Sequence, residues 1–79
     1  MEEDIEYALR LEIEEMERLL ADRRFEYDRM REEHRRQYPD QDSELAWEMS
    51  QHMNDYYRFC VAPLQEELEK KKRTLALFS

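Results

Sequence analysis

The sequence predicts an all-α protein, an antiparallel hairpin of two long helices, and three observations carry that expectation. The 79 residues include no glycine and only two prolines, so tight strand hairpins and phosphate-cradling loops have no raw material. Apolar residues recur at alternating steps of three and four from residue 9 to residue 34. A single polar segment, QYPDQDSE at 37–44, interrupts this pattern.

The first helix is expected over about 3–36, where good helix formers dominate and nothing breaks the helix. Leu9, Ile13, Met16, Leu20, Tyr27, Met30 and His34 form its stripe, with Arg23 in the one polar slot, and Ile5, Ala8 and Leu19 widen it on one flank. The turn falls at about 37–42. Pro39 disfavours helical geometry at Tyr38, and Asp40, Asp42 and Ser43 can each cap the next helix with a side-chain oxygen. That helix runs over about 43–61 and carries Ala46, Met49, Met53, Tyr56 or Tyr57, Cys60, Leu64 and Leu68 inward. Pro63 costs an unbroken helix roughly 3 kcal/mol, so a kink near Phe59–Ala62, or a break, is expected before a continuation over about 63–77.

Charge orients the hairpin. Residues 1–17 hold eight acids against Arg10 alone, and KKKR at 70–73 is the strongest basic cluster; folding back brings the two together. The same fold sets Arg31, Arg35 and Arg36 near Glu44 and Glu48, and Arg23 and Arg24 near Asp55.

A chain this short makes one small domain, 1–79, and needs a staple or a partner to be stable. Cys60 is the only cysteine, so no internal disulfide can form. The opening MEEDIE has no apolar run, so neither a secretory signal nor a membrane span is expected, and a cytoplasmic location follows. Twenty-one acidic residues against 13 basic give a net charge of −8, which disfavours direct nucleic-acid binding. High charge and a mean hydropathy of −1.15 also accompany disorder. Periodic placement of the 41% hydrophobic residues decides for a fold.

A second apolar line on the first helix, Tyr7, Leu11, Ala21 and Phe25, together with Trp47 and Val61 off the main seam of the second, needs cover. Self-association into a dimeric helical bundle is the expectation, with a target protein as the rival.

The opening stretch EEDIEYALRLEIEE, residues 2–15, resembles ubiquitin-interacting motifs: Glu2, Glu3 and Asp4 supply the acidic run, Ile5 the apolar residue and Ala8 the alanine, while Glu12 stands where the motif has serine. The reverse-direction motif is matched through Asp4, Ala8, Leu11 and Glu14 or Glu15. The resemblance implies a ubiquitin-binding helix; the plainer reading, preferred here, packs Ala8 and Leu11 inside. Leu9-Arg10 and Leu19-Leu20-Ala21-Asp22-Arg23 are similar to the first helix of the all-helical chorismate mutase domain. The arginines stand one turn closer than in that family, and its later lysine and arginine–glutamate pair have no counterpart. Binding a dicarboxylate needs several converging cations, so a mutase is set aside.

Glu48, His52 and Asp55 lie at i, i+4 and i+7 on one helical face, a spacing that suits a divalent ion. Three ligands on one helix more simply make a solvated face, and no metal or cofactor is expected. Cys60 has no neighbouring base and reads as a small core residue, while His34 caps the core near the turn. Tyr56, Tyr57, Phe59 and Trp47 read equally as an interaction cluster or as core beside the kink.

With no nucleophile beside a base and no cofactor loop, the chain reads as a non-enzymatic protein–protein interaction module. Small inhibitors that occupy a surface of a larger machine, phage-encoded ones among them, are such a class. The expected binding surface combines Glu2, Glu3, Asp4, Glu6, Glu12, Glu14, Glu15 and Glu17, which suit a cationic nucleic-acid-binding groove, with the apolar Tyr7, Leu11, Phe25 and Trp47. A structural oligomerisation module is the alternative.

Overall fold

The computed structural model describes residues 2–40 and 42–78. Apart from the turn at 38–43 and residues 77–78 they are helical, with no strand: α1 (Glu2–Gln37), α2 (Glu44–Tyr56) and α3 (Ala62–Ala76) follow in order. A π-helical turn, Tyr57–Val61, joins α2 to α3. Antiparallel packing shows in the pairs that meet across the hairpin: Glu12 with Lys71, Tyr27 with Tyr57, and His34 with Ala46. At about 1.5 Å per residue, α1 alone reaches about 54 Å. It spans nearly the whole of a 58 × 15 × 14 Å body.

The inner stripe of α1 packs on the second helix. Ile13, Leu20 and His34 are buried, and Leu9, Met16, Arg23, Tyr27 and Met30 are partly covered. The widening flank does not pack: Ile5, Ala8 and Leu19 are exposed. A two-helix hairpin offers no third element to lie over that flank, so only the narrow seam between the helices is closed.

Pro63 shapes the second helix. Lacking an N–H, it leaves the Phe59 carbonyl without its α-helical donor, and the chain responds with a π turn in which the Ala62 N–H reaches back to the Tyr57 carbonyl. Pro63 then sits in the first turn of α3, where a missing donor costs little. The added residue advances the register, so Val61, expected off the seam, becomes fully buried. Cys60 moves to the edge and is only partly covered. Arg23 donates from a guanidinium nitrogen to the Cys60 carbonyl at 2.8 Å. A charged donor thus reaches the loosened stretch of backbone, which is why the seam of α1 carries one polar residue.

At the turn, the Tyr38 N–H still donates to the His34 carbonyl at 2.9 Å, and Pro39 follows. Asp40 accepts from the Asp42 N–H at 3.1 Å, while Ser43 is the residue that caps α2, its hydroxyl accepting from the Ala46 N–H at 3.1 Å. Gln41, within the expected turn, lies outside the described residues. Two ion pairs cross the hairpin near its termini, Lys71–Glu12 at 2.9 Å and Lys72–Glu17 at 3.2 Å. The expected pairs at the other end do not form among the described residues. Arg31 instead stacks 5.9 Å from the centre of the Tyr27 ring, and Arg23 is held by Cys60 rather than by Asp55.

Candidate interaction surface

Toward the turn, a groove of about 530 Å³ lies between α1 and the second helix. Met30 and His34 of α1 face Met49, Met53 and Tyr56 of α2 across it, with Phe59 and Cys60 of the π turn at one end. Long, unbranched methionine side chains change rotamer to fit whatever packs against them, which suits a surface that accepts a partner's side chains. His34 forms the buried end of the seam here: its Nε2 lies 2.7 Å from the Ala46 carbonyl. A carbonyl oxygen only accepts, so Nε2 carries the proton and donates. Glu33, Gln37, Tyr38, His52 and Asp55 complete the rim, and among the described residues neither Glu33 nor Asp55 joins an ion pair.

Sequence reasoning placed Met49 inside the seam; it is instead exposed and lines this groove. The concentration of Met30, Met49 and Met53 on facing stripes was the available signal. Among the aromatics, Tyr56 packs against the core, and Tyr57 rests on Tyr27 with ring centres 5.1 Å apart. Phe59 and Trp47 are exposed.

The acidic surface is partly neutralised from within. Glu6 pairs with Arg10, Glu12 with Lys71 and Glu17 with Lys72, whereas Glu3, Asp4, Glu14 and Glu15 are exposed and join no ion pair among the described residues. The side chain of Glu2 lies outside the described residues. The second apolar line is open: Tyr7 and Phe25 are 66% and 65% exposed, Leu11 and Ala21 are also exposed, and all four follow one face of α1. Trp47 sits on α2, apart from that line. The structure therefore presents three surfaces, an acidic end, an outer apolar line and the groove, and does not merge them into one.

Ala8 and Leu11, expected to pack inside, are exposed together with Ile5, so the face resembling ubiquitin-interacting motifs is uncovered. Arg10 and Arg23 do not converge: the first is tied to Glu6 and the second to the Cys60 carbonyl. Among the described residues no three His, Cys, Asp or Glu side chains come together as a metal site, Glu48, His52 and Asp55 included. No described helix is long and apolar enough to cross a membrane. Compared with known protein families, characterised proteins and solved structures, the chain matches none.

Proposed function

We propose that this chain is a non-enzymatic protein–protein interaction module, an inhibitor or regulator of a larger protein, whose groove receives a basic, amphipathic segment of that protein. The groove at the turn end carries this reading: its walls are methionine and aromatic, and its rim holds Glu33 and Asp55 outside any ion pair. A helix with two or three large apolar side chains fills such a groove, and flanking lysines or arginines meet the two carboxylates. A net charge of −8 steers cationic partners toward the molecule and repels nucleic acid itself. The unpaired Glu3, Asp4, Glu14 and Glu15 extend that field to the far end.

The test is methionine-methyl NMR with a basic amphipathic helical peptide as probe. Signals of Met30, Met49 and Met53 should shift while Met16 stays still, and binding should weaken steeply with salt. An acidic peptide of the same apolar pattern should not bind. Unmoved groove methyls at millimolar basic peptide would overturn the reading.

Exposure of Ile5, Ala8 and Leu11 supports a second reading, a ubiquitin-binding helix at residues 2–15. A heteronuclear titration with ubiquitin should then shift the amides of residues 4–15; none moving at millimolar ubiquitin ends that idea.

A further inference from the structure

The hairpin covers too little of itself. A globular chain of 10.0 kDa exposes about 5,200 Å² on average, and this one exposes 6554 Å². Its radius of gyration is 17.5 Å against about 12 Å for a compact chain of this length. The excess of about 1,300 Å² is what one partner of an obligate dimer commonly buries. α2 and α3 occupy the inner face of α1, leaving its outer face free along its whole length.

That outer face has the spacing of a helix–helix seam. Tyr7, Leu11, Glu14, Arg18, Ala21 and Phe25 alternate steps of four and three without interruption. All six are exposed. Glu14 and Arg18 stand four residues apart, where they can pair within the helix, yet neither joins an ion pair there. Together with Glu17 and Ala21 they line a shallow concavity halfway along the stripe.

We propose that this face pairs with a second copy of itself, antiparallel, about a two-fold axis level with residue 16. The axis sets Tyr7 in a layer with the second copy's Phe25, Leu11 with its Ala21, and Glu14 with its Arg18; symmetry repeats each layer. Every apolar residue meets an apolar one and every charge its opposite. Sliding the copies by one heptad in either direction sets Leu11 against Glu14 or against Asp28, and phenylalanine or tyrosine against a charge. A parallel pairing stacks Glu14 on Glu14 and Arg18 on Arg18. Only one register is self-complementary, and the two central Glu–Arg layers select it at some cost in stability. The next layer outward opposes Asp4 and Asp28, and apolar pairing ends there.

The inference rests on reading the chain as an interaction module, and names its first partner as itself. The groove lies on another side of the hairpin, so the dimer leaves it accessible, one at each end.

Light scattering on a sizing column, from about 100 μM to about 1 μM, should give a dimer for the native chain. E14R and R18E should each shift the dimer toward monomer, because one stacks arginines and the other glutamates in the central layers. The double variant E14R/R18E should restore the dimer, and so should an equimolar mixture of the two single variants. Both positions are exposed, so circular dichroism should show helix retained in each. Three outcomes overturn the inference: a native chain monomeric at about 100 μM, single variants that dimerise unchanged, or a double variant as impaired as the singles. If such a chain still shifts its groove methyls with the basic peptide, the dimer fails and the proposed function stands.

Discussion

The two halves of the hairpin share α1, and it is closed where it meets α3 and open where it meets α2. Toward the termini, Ile13, Leu20, Val61 and Leu68 form one apolar cluster, backed by Leu9, Met16, Leu64 and Leu75, and two ion pairs flank it. Toward the turn, Met30, Met49 and Met53 line a groove, the His34–Ala46 hydrogen bond links the two helices, and Ser43 caps the start of α2. Branched side chains interdigitate to native density, whereas methionines fill space loosely and adapt to what enters. Close packing is thus concentrated at one end, and open apolar surface at the other.

Core truncation should give the largest difference between the two halves. Leu68→Ala and Leu20→Ala remove buried methyl groups from the closed half and should each cost about 2–5 kcal/mol in urea unfolding. Met53→Ala borders the groove and should cost less than either, since its cavity opens to solvent. Equal losses for Met53→Ala and Leu68→Ala would mean the turn half is as tightly packed as the other.

His34→Ala comes next in size. The substitution strips the Ala46 carbonyl of a buried side-chain donor, at about 1–3 kcal/mol, and opens the floor of the groove. Amide exchange should quicken first in residues 44–50 and leave 61–75 slow, because the two halves do not share a core. Uniform acceleration along the chain would sink the two-half description. Ser43→Ala should cost about 1 kcal/mol, felt in the first turn of α2, where the Ala46 N–H loses its acceptor.

The seam of α1 was legible because an unbroken α-helix keeps one period over its whole length, and every residue from Leu9 to His34 assigned to it is at least partly covered. Val61 was not, since a constant period cannot anticipate the residue that the π turn before Pro63 adds. Arg23 could be recognised as the polar slot, but its acceptor exists only once that turn loosens the backbone at Cys60. Exposure of Tyr7 and Phe25 followed from their spacing away from the seam, whereas Leu11 and Ala8, expected inside, stay exposed because no third element covers that side of α1. The groove was hidden for a different reason: it is a property of two helices held apart, and Met30 and Met49 have the same periodicity whether they touch or line an opening.

The smallest effect sharpens the comparison at the closed end. Lys71 donates to Glu12 at 2.9 Å, and that hydrogen bond, then the charge of Glu12 and to a lesser degree that of Glu67, raises its ammonium above the usual 10.5. A raised folded-state value means the folded chain holds the proton more tightly than the unfolded one. The stabilisation is complete below the ordinary lysine range and disappears as pH climbs through the raised value. Amide exchange of Leu75 and Phe78, corrected for its intrinsic pH dependence, should therefore show the end of α3 and the turn after it loosening at alkaline pH. Lys71→Met should be loose already at neutral pH and lose most of that dependence, with the groove methyls unchanged. Identical alkaline profiles for the two proteins would show that packing alone, through Leu68 and Leu75, holds the closed end.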